Sequence, residues 1–299
     1  MRASHAVTTV FLVLSVALAR AQQPGVGASA PATEDVRDRI LYANETESIK
    51  PLAHKFVTNI FYDQKAIWAS PFHINRHEAG WWILFGGATA AFIATDHTTS
   101  KQLPNTLDQI TFSRHVSQLG AEYTVLPVLG GFYLFGALTD NGKARETALL
   151  GSEAAIDSVI VFEVLKTVTQ RPRPLEKGGA GRFFKGGDSF PSGHAMSIWT
   201  VASVVGHEYG DHKLVPIVAY SLATLVSASR FSARKHFASD VVAGSALGYF
   251  IGRYVVNTHD EHAGHVHNRM LRSLAHPRIL PEVQPSAGLY GVGVNWSWN

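Results

Sequence analysis

The 299-residue chain, 46% of it hydrophobic, has enough material for one large core or two small ones, which excludes a disordered or fibrous polypeptide. The formal charge is only +3, with Lys and Arg scattered, so no basic stripe offers a grip on a nucleic-acid backbone and any bound anion should be small and locally held. With no cysteine, disulfides and thiolate chemistry are excluded as well.

In chain order, Arg2, the apolar run from Val7 to Ala19 and the A-x-A site Ala19-Arg20-Ala21 predict an export signal over 1–21, with an uncleaved anchor as the alternative. Residues 22–34, rich in Gly, Ala, Pro and Gln, read as a flexible leader. From Asp35 to Phe61 the spacing of Ile40, Leu41, Ile49, Leu52, Phe56 and Ile60 predicts short amphipathic helices. Six longer helical stretches follow, at 79–95, 116–138, 144–169, 192–207, 214–229 and 240–258, with Gly, Pro and Asp as punctuation. No alternating run separates them. The expected fold class is therefore all-α, a six-helix bundle core over 79–258 within a helical domain 35–258.

A membrane span needs about 20 mostly apolar residues, and these stretches sit on the short side. Glu146, Glu153, Asp157 and Glu163 in the third, Glu122 in the second and Arg253 in the last add charges that a bilayer disfavours. Together with the export signal, this predicts a soluble or peripheral bundle in the periplasm or cell envelope, with Trp81 and Trp82 as core residues and an interfacial belt as the alternative. The extension 259–299 holds His259, His262, His265 and His267, a tract of a kind that binds transition metals; no carboxylate or thiolate pattern fixes a geometry, so it reads as solvated, irregular tail. Residues 288–298 alternate as one strand, which cannot close a barrel.

Three clusters at predicted helix edges carry chemistry. Lys166 and Arg173 flank a helix C-terminus stiffened by Pro172 and Pro174, a point charge and a planar fork suited to phosphate oxygens. Pro191-Ser192-Gly193-His194 opens a helix: Ser192 can cap, Gly193 admits close backbone approach, and His194 sits where it could protonate a leaving oxygen. Ser229-Arg230, His236 and Asp240 follow. Asp240, four residues after His236, could fix the imidazole tautomer and leave the other ring nitrogen as a nucleophile.

As K-x6-R-P, P-S-G-H and S-R-x5-H-x3-D, complete and in order, these clusters resemble the type 2 phosphatidic acid phosphatase superfamily, which includes bacterial nonspecific acid phosphatases and vanadium haloperoxidases. The resemblance covers residues 79–258. It implies His236 as nucleophile, Asp240 as its partner, His194 as general acid, and Lys166, Arg173, Ser192, Gly193 and Arg230 as a phosphate cradle, with no metal or other cofactor. The expected activity is hydrolysis of a phosphomonoester, soluble or lipid, through a phosphohistidine. The rivals are a vanadate-dependent haloperoxidase and a non-catalytic anion-binding envelope protein. Arg234, Lys235 and Ala238 depart from the usual pattern of the third motif and bear on substrate preference.

Overall fold

The computed structural model describes the backbone of residues 49–74, 76–104, 106–259, 278–284 and 289–295, and side chains within 52–74, 79–104 and 106–259. The predicted export signal, the leader and His262, His265 and His267 lie outside these residues. The helices are α1 (Ile49–Ala69), α2 (Arg76–Gln102), α3 (Leu107–Gln118), α4 (Glu122–Leu138), α5 (Gly142–Thr169), α6 (Gly193–Glu208), α7 (Leu214–Ser232) and α8 (Ala238–His259). Where the short amphipathic helices were expected, the described part is one continuous helix, α1. The stretch expected at 116–138 instead breaks at 119–121 into α3 and α4. At the break Gly120 passes close to α6 and α7, where a side chain would collide with Val226 and the His194 carbonyl.

Local chemistry sets the helix ends. Thr106 caps α3 through Gln109 N, and Asn141 caps α5 through Ala144 N. Gln170 adopts the left-handed conformation that terminates α5, its N–H returning to the Lys166 carbonyl. Helix α6 sits centrally, packing on α5, α7 and α8 through Met196, Ile198, Ala202 and Val204. Against α8 it approaches closely, because Gly244, Gly248 and Gly252 at four-residue spacing face the carbonyls of Ser192, Met196 and Thr200. This seam locks the start of α6 against the start of α8 and so fixes the relative position of His194 and Asp240.

The soluble or peripheral bundle expected from the sequence is not what the chain forms. Residues 107–138 and 214–232 are long and apolar enough to cross a membrane, and only 22% and 28% of their apolar windows are buried. A core helix of a water-soluble protein would bury that surface. Here Tyr123, Val128, Leu134 and Leu138 on α4 and Leu214, Ile217, Val218 and Leu225 on α7 face outward. Trp81, expected in the core, is also exposed. Of the charges that argued against a bilayer, Glu146, Glu153 and Asp157 are buried inside the bundle, Glu122 and Arg253 are half-buried, and Glu163 is exposed.

Residues 261–299 form a separate compact unit. Its described part is an antiparallel pair rather than the single expected strand, β1 (Arg278–Gln284) with β2 (Leu289–Asn295), Arg278 opposite Asn295 and Gln284 opposite Leu289.

Candidate active site

The connection from α5 to α6 doubles back on itself. Phe184 N donates to Thr169 O, Lys185 N and Gly187 N donate to Gln170 O, and Ser189 N donates to Arg171 O at 2.8 Å. Thr169 Oγ1 ties the far end by donating to Phe190 O. This pairing brings residues 188 and 189 over the end of α5. Asp188 then meets Arg173 in a two-point contact, 2.8 Å at both oxygens, while Lys166 donates to Glu163 at 2.9 Å over the Phe162 ring. A cleft of about 240 Å³ lies here, lined by Glu163, Lys166, Thr167, Gln170, Gly187 and Asp188. Arg173 and its neighbour Lys166 hold the Asp188 carboxyl below the usual carboxylate range, against the opposing effect of its partial burial.

Beneath this cleft lies a saturated ionic network that the sequence did not disclose. Arg171 is fully buried, as are its partners Asp96 of α2 and Asp240 of α8. Its Nε donates to Gly181 O, Nη1 to Ser239 Oγ and to Asp240 Oδ1 (both 2.6 Å), and Nη2 to Asp96 Oδ2 at 2.8 Å. Phe183 and Phe237 flank the guanidinium, their ring centroids 4.9 and 4.3 Å away. Asp240 Oδ2 accepts from Ser189 Oγ and from Phe237 N at 2.9 Å, and Asp96 accepts from the N–H and hydroxyl of Ser239. Each of the four buried carboxylate oxygens thus accepts at least one hydrogen bond.

His236 sits on this frame. The end of α7 positions it, since Arg230 O accepts from the N–H groups of Lys235 and His236. Its Nδ1 lies 2.8 Å from the Ser189 carbonyl, whereas the nearest Asp240 oxygen is 3.8 Å away. The partner that fixes the tautomer is therefore a backbone carbonyl. A carbonyl only accepts, so Nδ1 carries the proton and Nε2 the lone pair. Asp240, expected to bond the ring directly, is instead linked to it through Ser189, whose hydroxyl it holds. Burial lowers the His236 pKa; Asp240 works the other way, and Arg230 and Arg173 add to the lowering.

Around His236 the structure gathers the remaining sequence-predicted groups. His194, in the first turn of α6 and outside the two apolar spans, is within electrostatic range of Arg230, His236, Lys166 and Arg173. Burial first, then these cations, push its imidazole down to about 3. Gly193 packs its bare Cα against Phe162, and Ser192 N donates to Asp240 O at 2.9 Å. Ser192 begins α6 without a side-chain cap; its buried Oγ and the buried Nε of Arg230 find no hydrogen-bond partner among the described residues. The guanidinium of Arg234 donates to the carbonyls of Lys101 and Leu103. Lys235 is exposed.

Arg171, Asp96, Ser189 and Asp188 were not singled out by the sequence. The doubled R-P-R-P could have marked Arg171, and Asp96, which ends the uncharged run 79–95, was a second signal.

Residues 147–263 match the family model of the PAP2 superfamily. Two named relatives narrow the comparison. A lipid A 1-phosphatase of Porphyromonas gingivalis is 33% identical over 66 residues, which is 22% of this chain and 15% of that protein. Phosphatidylglycerophosphatase B of Bacillus subtilis is 29% identical over 147 residues, covering 46% of this chain and 68% of the relative. Two solved structures are similar at 23% identity. Aquifex aeolicus LpxE aligns over 56% of this chain and 93% of its own, with a TM-score of 0.42. A protein described as the first transmembrane PAP2-type phosphatidylglycerolphosphate phosphatase from Bacillus subtilis aligns over 70% and 94%, with a TM-score of 0.41.

Proposed function

We propose that the protein is a membrane-embedded phosphatase that removes the phosphate of a lipid phosphomonoester through a phosphohistidine on His236. One observation carries this reading: Nδ1 of His236 is committed to the Ser189 carbonyl, which leaves Nε2 as an aimed lone pair beside His194 and Arg230. The unpartnered Ser192 Oγ and Arg230 Nε are donors suited to phosphate oxygens. Both named relatives act on phosphorylated lipids by their names, and the exposed apolar faces suit a substrate that stays in a bilayer.

In the proposed reaction the phosphate dianion seats among Lys166, Arg173, Arg230, Ser192 and the amide near Gly193. Nε2 of His236 attacks phosphorus as the ester P–O bond breaks, and His194 gives its proton to the departing alkoxide. Neutral in the free protein, His194 takes up that proton when the dianion cancels the cations that depress it. A water then gives its proton to His194 and its oxygen to phosphorus, releasing His236 and inorganic phosphate. Rapid quenching with a ³²P-labelled lipid monophosphate tests this. An acid-labile, alkali-stable label on the protein is expected, absent from His236→Asn. Turnover at the normal rate in His236→Asn would refute the nucleophile.

A further inference from the structure

Far from His236 a second polar cluster is built into the core. Glu153 lies thirteen residues before Lys166 on α5 and His259 nineteen residues after Asp240 on α8, about 20 and 28 Å at ~1.5 Å per residue. With Asp63 of α1 they bring three side chains together from three helices, each at most 1% exposed. Their potential ligand atoms lie within 4.8 Å of one another. His259 Nε2 is 2.9 Å from both Asp63 oxygens and 3.1 Å from Glu153 Oε1.

One ring nitrogen holds at most one proton, so three oxygens at that distance compete for a single hydrogen bond. Ligands bound at about 2.1 Å to one cation stand about 3.0 Å apart in an octahedron and about 3.4 Å apart in a tetrahedron, close to this spacing. The surroundings orient the donors. Asn59 Nδ2 reaches Glu153 Oε2 at 3.4 Å, on the side away from the oxygen that meets His259. An independent observation comes from Asp157, four residues after Glu153 on the same face of α5 and fully buried. Gln64, the neighbour of Asp63, holds its Oδ1 at 2.8 Å, while Oδ2 has no hydrogen-bond donor among the described residues, and its carboxyl interacts with Asp63. Three buried carboxyls gathered around one imidazole need a shared proton or a bound cation to offset their charge.

We propose that Asp63, Glu153 and His259, with Asp157 as a further oxygen donor, form a structural site for a divalent first-row transition ion that pins α1 to α5 and α8. One imidazole with carboxylates and no thiolate suits Zn²⁺ or Mn²⁺. The site is remote from the phosphate cradle and independent of the reaction proposed there. His259 is the member of the histidine-rich tract whose carboxylate partners come from remote helices, which no local spacing could reveal.

The test uses the full chain, purified in detergent without a metal-affinity tag, stripped with chelator and titrated with Zn²⁺ alone. About one tightly held ion per chain and a rise in thermal midpoint on its addition are expected. Affinity should fall at least ~10-fold in Asp157→Asn and Glu153→Gln, which preserve shape, and further in His259→Ala, with a matching loss of the thermal shift. A triple His262→Ala, His265→Ala, His267→Ala variant should bind as the parent does. No stoichiometric ion in the parent chain, with no thermal shift, overturns the site and leaves a proton-sharing ion pair. Binding that survives Glu153→Gln and Asp157→Asn but disappears in the triple variant assigns the ion to the tail and overturns it equally.

Discussion

Replacing Arg171 with Met tests whether the buried network is what holds the catalytic frame. The guanidinium contacts four oxygen acceptors and two rings, so Met keeps part of the packing and removes all of the charge and donors. Asp96 and Asp240 would then remain as carboxylates at 2% and 0% side-chain exposure with their cation gone. Removing one partner of such a pair costs about 3–5 kcal/mol. Thermal or denaturant unfolding in detergent should read that loss. Arg171→Lys should recover part of it, because one ammonium keeps the charge but cannot reach Gly181, Ser239 and both carboxylates. Asp96→Asn combined with Arg171→Met should also recover part, by removing one stranded charge. Since Arg171 does not reach the cleft, KM should change little, whereas displacement of Asp240, Ser189 and so His236 by about 1 Å should lower kcat about 100-fold. A stability change below about 1 kcal/mol, or an unaltered kcat, would mean that Ser189 and the Phe237 amide hold Asp240 unaided.

Three further outcomes follow from the site. The acid limb of kcat/KM should lie below the ordinary imidazole value of about 6.5, because His236 must be neutral to attack and burial lowers its pKa. In Asp240→Asn the carboxylate that opposes this lowering is gone, so the limb should move further down; an acid limb above the ordinary value would contradict the assignment. His194→Gln should reduce kcat about 10²–10⁴-fold for an alkyl phosphate and much less for p-nitrophenyl phosphate, whose leaving group departs without a proton; equal losses would deny His194 the acid role. Asp188→Asn frees the Arg173 fork from an exposed pair worth about 0.2–1 kcal/mol, so inhibition by inorganic phosphate should tighten up to about fivefold. Weaker inhibition would make Asp188 an orienting group rather than a competitor.

The motif residues were legible because each cluster is contiguous and sits at a helix end, where unsatisfied backbone groups and charged side chains are read from short spacing. Helices α5 to α8 were legible within a few residues for the same reason. What escaped was long-range. Asp96 is distant in sequence from its partner Arg171, and Ser189 contributes to His236 through a backbone carbonyl that carries no residue signature. The glycines at 244, 248 and 252 were a visible pattern, but their meaning depends on the carbonyls of another helix. The membrane question was misjudged because a charge count along α5 cannot tell an inward face from an outward one. Glu146, Glu153 and Asp157 point into the bundle, and it is α4 and α7 that present apolar surface.

The two kinds of polar burial at the site divide the labour of catalysis. Arg171, Asp96, Ser239 and Asp240 are saturated with mutual hydrogen bonds, which makes their arrangement stiff and expensive to disturb. Ser192 Oγ at the start of α6 and Arg230 Nε on α7 are buried without partners among the described residues, a state that costs stability. A phosphate would satisfy both at once, so part of the folding free energy forgone there returns as binding energy. In the proposed reaction the stiff network would make that return greatest for an anion whose phosphorus lies in line with Nε2 of His236, which is the geometry of the transition state rather than of the free ester.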